Sequence, residues 1–467
     1  MYFVYRLKQL ILTIGDLASF VAGFWLSLLI RHFTIPTQAD LELHFLQFMV
    51  MFFLWIVLNY INGLYDLGKQ GIGRAFYRRF TETAAIAFLA SIVFFYIIPV
   101  KNITPKTILA LNVFLGYGLA GLWRFAYTSF VGAKRLQTRV ILVGVTPETK
   151  ELIDLLGEKN EKGYHIVTVI DPAHAVKSTE LPNIDVYHGL QTIRPAISNY
   201  KAEIIVIAPK LQEDPTALRE LYELLFWNVQ ITDFSSFYEL VTGRIPPSTF
   251  SEGWFLQHLR NLRHPIYDRV RIFLDYLAAV ICGALLLVLL PWIALAIKIN
   301  SKGPIFFKQK RVGQFGKEFT LYKFRSMIVL APDGSAETGE YEFDKWVAQK
   351  GDKRVTVVGS FLRKTRLDEL PQVWNLLKRD VTLVGPRPER PEIVQELTKH
   401  MPYYPLRHLV KPGLTGWAVI HQNYTETIKK ALDKLQYDLY YIKNRSFLLD
   451  TLILLRTINV IVRFMGQ

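Results

Sequence analysis

The amino-acid sequence predicts a mixed α+β membrane protein with four parts: a four-helix transmembrane bundle, a Rossmann-like α/β domain, a re-entrant membrane helix and a polar domain on the cytoplasmic side. Three observations support this prediction. Long apolar segments occur in two separate parts of the chain, short β-branched segments alternate with helical ones between them, and basic residues gather beside the apolar segments. The first two define the parts, and the third defines their orientation.

The composition favours a chain that lies partly in a membrane and partly in water. Of its 467 residues 51% are hydrophobic, and the formal net charge is +15. A basic chain suits anionic partners such as lipid headgroups or phosphorylated substrates. We expect no nucleic-acid partner, because the basic residues flank the apolar segments, where membrane topology accounts for them. The single cysteine, Cys282, excludes an intrachain disulfide and a cysteine metal cluster.

Residues 1–134 contain four segments with about the 20 apolar residues that a bilayer span requires. They lie at 10–30, 44–65, 82–100 and 107–128. We interpret the first as a transmembrane helix and not as a removed leader, because it contains Asp16 and lacks a cleavage pattern. Lysines and arginines are concentrated before the first segment, between the second and third, and after the fourth. This distribution predicts that both ends of the bundle face the cytoplasm.

Residues 138–235 alternate between short apolar strands and helical stretches, which predicts a parallel α/β domain of the Rossmann type. The strands are expected at 139–143, 165–170 and 203–208. Gly144 is the only glycine where a dinucleotide-binding turn carries three, although Asp171 stands where a ribose ligand is expected. Close approach of a pyrophosphate requires the missing glycines, so we predict that the domain binds no dinucleotide.

A fifth apolar segment, 272–297, follows a linker at 236–265 and defines a membrane helix at 266–300. Both flanks are basic, so a spanning helix would carry one basic flank outward against the charge rule. Pro291 removes a backbone donor inside the segment. We therefore predict a re-entrant helix that breaks at Pro291 and keeps both ends in the cytoplasm. An ordinary span that tolerates the proline is the alternative.

The remaining chain divides into a polar domain at 301–445 and a C-terminal segment at 446–467. The C-terminal segment has an apolar stripe interrupted by Asp450, Arg456 and Arg463. It is predicted either to lie on the membrane surface as an amphipathic helix or to pack on the core of the protein.

The segment 363–378, RKTRLDELPQVWNLLK, is the strongest candidate for a chemical site. The spacing of Leu370, Val373, Trp374 and Leu377 predicts one face of a helix, and Pro371 fits only its first turn. Asp368 and Glu369 therefore stand at the helix start, where acidic residues also serve as ordinary caps. Three basic residues immediately upstream, Arg363, Lys364 and Arg366, favour instead a site for phosphates beside a carboxylate nucleophile.

Further basic side chains come from other parts of the polar domain. Lys323 and Arg325 end a predicted strand in FTLYKFRSM, and a proline-stiffened loop, GPRPERPE, presents Arg387 and Arg390. Each of these charges alone is typical of a solvated surface. Together, beside a membrane segment, they predict a diphosphate site at the cytoplasmic membrane surface.

These motifs give the chain a specific resemblance to a known family. In unbroken order from about 266 to 467, FFKQKRVGQFGKEFTLYKFRSM, RKTRLDELPQVWNLLKRD, LVGPRPERPE, RHLVKPGLTGWA and KLQYDLYYIKNRSFLLD resemble the bacterial sugar transferases, or monotopic phosphoglycosyl transferases. The four N-terminal spans and the Rossmann-like domain resemble the large members, which initiate exopolysaccharide, capsule or O-antigen synthesis. The resemblance implies a bacterial inner-membrane enzyme that uses a UDP-sugar and undecaprenyl phosphate, and it implies a dimer formed through the Rossmann-like domain.

The resemblance also implies roles for individual residues. Asp368 would attack the sugar-linked phosphate of the UDP-sugar, forming an aspartyl phospho-sugar and releasing UMP, and the carrier phosphate would then attack that intermediate. Glu369 would be its acidic partner and would ligate Mg²⁺. The residues expected to hold phosphates are Lys323, Arg325, Arg354, Arg363, Arg366 and Arg387.

Two departures from the family pattern affect this assignment. Small members carry Ser-Pro at the re-entrant break, whereas this chain has Leu290-Pro291. Small members also carry Asn-Gly-Arg after Gly-Leu-Thr-Gly, whereas here the region reads WAVIHQNY and contains no arginine. His421 is the residue in this region that could replace the arginine, although a lone histidine is more often structural.

Two other classes of protein would require different features. A membrane-anchored nucleotide-sugar dehydratase or epimerase needs an intact glycine fingerprint and a Tyr-x-x-x-Lys pair, and neither occurs between 138 and 260. A non-catalytic scaffold for polysaccharide assembly predicts instead that the acidic pair is dispensable.

Overall fold

A computed structural model describes residues 2–65, 74–97, 106–131, 137–157, 164–175, 181, 184–259, 264–328, 354–422 and 427–462. The chain forms two compact units, Met1–Val241 and Thr242–Gln467.

The first unit begins with a bundle of four helices. They are α1 (Tyr2–His32), α2 (Gln38–Ile61), α3 (Arg74–Ile97) and α4 (Lys106–Val131). Phe20, Phe52 and Trp55 pack at its centre. Asp16 is buried there, where it pairs with Arg124 at 2.5 Å, so the carboxylate noted in the sequence is part of the bundle interior.

Three of these helices contain stretches that are long and apolar enough to cross a membrane: Gln9–His32, His44–Ile61 and Thr107–Ser129. Over the described residues α3 is not among these stretches, and its first turns carry Arg74, Arg78, Arg79 and Glu82. The end of the predicted span 82–100 lies outside the described residues.

The bundle is followed by a five-stranded parallel sheet with the order β3-β2-β1-β4-β5. This is the doubly wound order of a Rossmann fold, as predicted. The strands are β1 (Thr138–Val143), β2 (Tyr164–Ile170), β3 (Asp185–Tyr187), β4 (Ile204–Ile207) and β5 (Gln230–Asp233). The helices are α5 (Thr149–Leu155), α6 (Ile193–Tyr200), α7 (Pro215–Glu223) and α8 (Phe234–Thr242).

Gly144 has a packing role at the end of β1. Its φ is +84°, and a Cβ at this position would stand 2.6 Å from the Cβ of Ala208, which follows β4. A close approach between neighbouring strands therefore requires this glycine. The next helix, α5, is preceded by Glu148 at its N-cap, where an acidic side chain disfavours a diphosphate.

The second unit combines a long apolar helix with two small sheets and several short helices. The helices are α9 (Glu252–Leu259), α10 (Pro265–Asn300), α11 (Val357–Thr365), α12 (Val373–Leu377), α13 (Pro391–His400), α14 (Trp417–His421), α15 (Ile428–Lys443) and α16 (Phe447–Val462). The strands are β6 (Phe306–Val312) and β7 (Glu318–Phe324), which form an antiparallel hairpin, and β8 (Thr382–Val384) and β9 (Gly413–Thr415), which are parallel.

Most of the stretch expected to be a linker, 236–265, is folded into these two units. Helix α8 runs past residue 235, and its Phe237 and Val241 are buried in the core of the Rossmann-like domain. Ile245, Phe255 and Leu259 belong to the core of the second unit. Buried apolar side chains hold this stretch in the two cores. Its glycines and prolines, on which the prediction of a linker was based, do not indicate this burial.

Helix α10 continues through Pro291, so the predicted break in the helix does not occur. Its 36 residues correspond to a length of about 54 Å. The first half of α10 is hydrogen-bonded to strand β8. There Asp275 accepts a hydrogen bond from the backbone N–H of Leu383 at 2.9 Å. At its other end, the side chain of Asn300 accepts a hydrogen bond from the N–H of Val358. Both halves of the helix therefore contact the same domain.

The opposite face of α10 is apolar and exposed along its whole length. It includes Phe273, Val280, Leu287, Trp292 and Ile299. By length and hydropathy this helix is the fourth described one that is able to cross a membrane.

The C-terminal helix α16 packs on the second unit. Ile453 is fully buried in the core, and Asp450 accepts hydrogen bonds from Tyr267 at 2.7 Å and Tyr441 at 2.9 Å. Phe447 and Leu448 remain exposed on another face. One face of the helix therefore packs on the core, which is one of the two predicted arrangements.

Candidate active site

The acidic pair lies on a short 3-10 helix, Leu367–Gln372, between α11 and α12. Arg366 ends α11 in the left-handed conformation, with φ of +60°, and turns the chain. Pro371 has no N–H, so it cannot complete the α-helical hydrogen bond to the carbonyl of Leu367. The predicted single helix is therefore replaced by a 3-10 segment and a short α-helix.

This change alters which side chains of the motif are buried. Val373 and Leu376 are buried, whereas Trp374 is 57% exposed. The 3-10 segment winds with about 3.0 residues per turn instead of 3.6, which shifts the phase of the predicted face. The prediction that Trp374 and Leu377 belong to one buried apolar face is therefore wrong.

Glu369 lies at the centre of a cluster of three cations. Its Oε1 accepts hydrogen bonds from Lys323 Nζ at 2.8 Å and from Arg387 Nη2 at 3.1 Å, and Arg366 Nη1 lies 3.6 Å away. Burial alone would raise the pKa of this carboxyl group, but the three cations outweigh it and hold the pKa well below its usual range. Glu369 is therefore ionised at neutral pH.

Asp368 is in a different environment from its neighbour. Its side chain is 6% exposed, and in the described part of the chain its buried Oδ1 has no hydrogen-bond donor. Burial raises the pKa of Asp368, Lys323 opposes the rise, and the adjacent Glu369 adds to it. A desolvated carboxylate oxygen without donors is a stronger nucleophile than one held by hydrogen bonds, and the nearby cations favour its ionised form.

Asn375 fixes the acidic segment against the strand that carries Lys323. This buried side chain donates to the carbonyl of Thr320 at 2.7 Å and accepts from the N–H of Tyr322 at 3.1 Å. It thereby ties α12 to β7. Asn375 is not among the predicted site residues; its sign in the sequence is a lone amide between the apolar residues of VWNLL.

The loop that presents Arg387 is held through four consecutive carbonyl groups. Gly413 N–H donates to Pro386 at 2.9 Å and Arg407 to Arg387 at 2.9 Å. Arg311 donates to Pro388 at 3.1 Å, and Val312 N–H to Glu389 at 2.9 Å. With every carbonyl bonded, the loop presents the guanidinium of Arg387 in one position toward Glu369.

A buried ion network supports this loop from behind. The guanidinium of Arg407 lies 2.8 Å from Asp438 and 3.9 Å from Glu389, and Lys434 also bonds to Glu389. Burial would raise the pKa of Glu389, but Lys434, Arg407 and Arg311 lower it to about 2. This network is not predicted from the sequence, because its members are far apart in the chain.

The structure brings together some of the predicted phosphate-binding residues and places others elsewhere. Lys323, Arg366 and Arg387 surround Glu369, and the charge of Arg363 acts on Asp368. Arg325 is 4% exposed, and it donates to the carbonyls of Ser301 and Lys302, both at 2.7 Å. It therefore caps the end of α10.

Other contacts are seen for two further candidates. The backbone carbonyl of Arg354 accepts a hydrogen bond from Ile328 at 2.9 Å. The ring of His421 stacks on Tyr437, with 5.0 Å between centroids, and packs against Trp417. His421 thus belongs to an aromatic cluster beyond β9.

The acidic pair fits a magnesium ion that is completed by substrate. Among the described residues no group of three or more His, Cys, Asp or Glu side chains could hold a metal ion. Mg²⁺, however, is commonly held by one or two carboxylates together with substrate phosphates. The cations gather at Oε1 of Glu369, so its other carboxylate oxygen remains for an ion beside Asp368.

Comparisons with known proteins agree with these features. The model of the family "Bacterial sugar transferase" matches residues 266–464. A UDP-N-acetylgalactosamine-undecaprenyl-phosphate N-acetylgalactosaminephosphotransferase of Aeromonas hydrophila is 40% identical over 228 residues, which cover 49% of this chain and 51% of the relative. This chain thus matches about half the length of that relative.

Two shorter relatives are matched over more of their length. A UDP-glucose:undecaprenyl-phosphate glucose-1-phosphate transferase of Caulobacter vibrioides is 40% identical over 40% of this chain and 67% of the relative. A sugar transferase of Bacillus subtilis, itself uncharacterised, is 38% identical over 41% of this chain and 86% of the relative.

Proposed function

The chain belongs to the bacterial sugar transferase family, and on this basis we propose that it transfers a sugar 1-phosphate from a UDP-sugar to undecaprenyl phosphate. The products are a polyprenyl-diphosphate sugar and UMP. The observation that carries the proposal is the buried Asp368, whose Oδ1 has no donor among the described residues while cations crowd the adjacent carboxylate. The names of the relatives support the two substrate classes.

The reaction proceeds in two displacements at one phosphorus atom. An oxygen of Asp368 attacks the sugar-linked phosphate of the donor, and the P–O bond to UMP breaks with its electron pair leaving on UMP. A phosphate oxygen of undecaprenyl phosphate then attacks the same phosphorus, and the bond to Asp368 breaks. No net proton transfer is needed, because one phosphoanhydride replaces another.

The cations supply the charge stabilisation that phosphoryl transfer requires. Lys323 and Arg387 stand against Glu369 in the free protein and are able to reach donor phosphates from the same positions. Arg363 and Arg366, at the end of α11, add charge on the side of Asp368. A magnesium ion held by Glu369 would neutralise the diphosphate of the donor.

The exposed apolar face of α10 supports a site at the membrane surface. Both halves of this helix contact the domain that carries Asp368, and its other face is apolar throughout. We infer that this helix lies along the surface of the cytoplasmic leaflet, so that both of its ends stay on one side. The lipid acceptor then meets Asp368 at the inner face of the inner membrane.

The test is UMP release by the detergent-solubilised full chain with Mg²⁺ and undecaprenyl phosphate. Donors are UDP-glucose, UDP-galactose and their N-acetylated counterparts. The variant Asp368→Asn is compared with Asp154→Asn, an exposed residue of the first unit. We expect one donor to give lipid-dependent UMP with the wild type and the control variant, and none with Asp368→Asn. Equal turnover by Asp368→Asn would refute the proposal.

A further inference from the structure

A cavity lies in the same unit as the proposed transfer site, at the start of α10. Its volume is about 1030 Å³. It is lined by the first turns of α10, the tip of the β6–β7 hairpin, the residues after α12 and the residues before β9. Asp368, Glu369 and the three cations around Glu369 are not among its lining residues. The cavity is therefore separate from the proposed transfer site.

Positive charge predominates on the cavity wall. Four cationic residues line it, namely Arg271, Arg379, Lys411 and Arg445, against the two carboxylates of Asp268 and Asp275. Both carboxylates are bonded to uncharged donors. Asp275 accepts from the Thr382 hydroxyl at 2.8 Å and Asp268 from the backbone of His264 at 3.2 Å.

Arg379 and Lys411 are adjacent cations on this wall. Lys411 Nζ donates to the backbone carbonyl of Arg379 at 2.7 Å. Within the residues that the structure describes, neither side chain forms an ion pair with a carboxylate. Burial lowers the pKa of Lys411, and the charge of Arg379 lowers it further. An anion between the two would relieve this repulsion.

The backbone of Arg379 adopts a conformation that is unfavourable for a residue with a side chain. Its φ is +61°, in the left-handed region that costs most residues energy and glycine none. An arginine at such a position suggests a role for its side chain beyond folding.

Aromatic and apolar side chains line the cavity or are exposed on the same part of α10. Phe315, at the tip of the hairpin, is 70% exposed and has a left-handed backbone, and Tyr276 lines the wall on α10. Ile266 and Phe273 are exposed on the same part of α10. Basic walls inside an apolar rim suit a molecule with an anionic head and hydrocarbon chains.

We propose that this cavity binds the phosphodiester headgroup of an anionic phospholipid, whose acyl chains lie along the exposed apolar face of α10. The lipid is not a substrate, so the proposal does not depend on the transfer reaction. It would anchor the start of α10 at the membrane surface. A phospholipid and inorganic phosphate both offer a phosphate group to the cations. Only the phospholipid also offers hydrocarbon chains to the apolar face of α10.

The test measures stabilisation of the detergent-solubilised full chain by short-chain lipids. Dioctanoyl phosphatidylglycerol is titrated while the thermal midpoint is followed by tryptophan fluorescence, with dioctanoyl phosphatidylcholine and inorganic phosphate as separate arms. The variant is Arg379→Gly/Lys411→Gln, in which glycine suits the backbone and glutamine keeps a donor. The matched control is Lys310→Gln/Lys399→Gln, which removes two exposed lysine charges away from the cavity.

We expect phosphatidylglycerol to raise the midpoint saturably in the wild type and the control. The double variant at Arg379 and Lys411 should need at least tenfold more of this lipid while its midpoint without lipid stays close to that of the wild type. If the variant is unfolded, native mass spectrometry of Arg379→Gly alone replaces the titration and should show fewer retained phospholipids.

Several outcomes would overturn the proposal. Equal stabilisation by phosphatidylcholine or by inorganic phosphate would mean that the cavity does not select an anionic lipid. Equal lipid dependence in wild type and variant would place the lipid elsewhere. A raised KM for undecaprenyl phosphate in the variant, with phospholipid binding unchanged, would make the cavity an acceptor site. Because the readout is binding, loss of UMP release alone bears only on the transfer reaction.

Discussion

Lys323 Nζ lies 2.8 Å from Glu369 Oε1 and joins the β6–β7 hairpin to the 3-10 helix that carries the acidic pair. This contact has two electrostatic effects. It keeps Glu369 ionised, and it is the main opponent of the burial that raises the pKa of Asp368. A cation on one element thus determines the ionisation of two carboxyl groups on another.

The first prediction concerns the acidic limb of the pH–rate profile. In the wild type, kcat/KM should fall, as pH decreases, at a pH above 3.8, the usual pKa of an aspartic acid, because the pKa of Asp368 is raised. Lys323→Gln should move this limb to higher pH, since it removes the charge that favours the ionised form. Glu369→Gln should move the limb to lower pH, since it removes a negative neighbour. If Lys323→Gln and Glu369→Gln shift the acidic limb in the same direction, Asp368 is not the titrating group.

The second prediction separates positioning of the loop from stability. Arg407→Met leaves Asp438 buried without its cation and should destabilise the domain by about 3–5 kcal/mol. Arg407→Met/Asp438→Leu removes both partners and should regain much of that loss. Its kcat/KM should nevertheless stay well below the wild-type value, because the carbonyl of Arg387 has lost its donor. If the double variant recovers both stability and activity, Arg407 does not position Arg387.

The third prediction follows from the low pKa of Glu389. Its pKa is about 2 in the folded protein against a usual 4.5. A group with a lowered folded pKa stabilises the fold above its unfolded pKa, and the stabilisation is lost as pH falls from about 4.5 toward 2. Glu389→Gln should therefore lower the thermal midpoint most at neutral pH and least near pH 2. A constant difference between variant and wild type across this range would contradict the assignment.

The fourth prediction distinguishes Arg325 from Arg387. Arg325→Met removes donors from carbonyls at the end of α10 and should cost about 1–3 kcal/mol of stability per unsatisfied group, with little change in the KM for the donor. Arg387→Met should do the reverse, raising that KM or lowering kcat with little loss of stability. A raised KM in a fully stable Arg325→Met variant would return Arg325 to the phosphate site.

The sequence predicted those features that local patterns encode. Three of the five strands of the Rossmann-like sheet were found, because their apolar runs are continuous. Strands β3 and β5 read DVY and QITD, which are short and partly polar, and only pairing with neighbours reveals them. Asp368 and Glu369 could be selected because they are adjacent, although their 3-10 geometry depends on a proline and on the left-handed Arg366.

Long-range contacts could not be read from spacing. Lys323 and Arg325 are two residues apart, so in a longer strand their side chains would lie on the same face. Strand β7 ends at Phe324, however, and the alternation of side chains between its two faces stops there. The two side chains therefore point to different places. The network behind Arg387 joins residues from β6 to α15, which only the folded chain brings together. The assignment of Glu369 to Mg²⁺ and the dimer remain predictions.

The most direct test of the central claim is the mass of the intact protein after incubation with the donor and Mg²⁺ but without undecaprenyl phosphate. We predict an added mass of one phospho-sugar that maps to the peptide containing Asp368, is absent from Asp368→Asn, and disappears when undecaprenyl phosphate is added. Lipid-linked product formed at the full rate with no adduct on Asp368, or formed equally well by Asp368→Asn, would contradict the account.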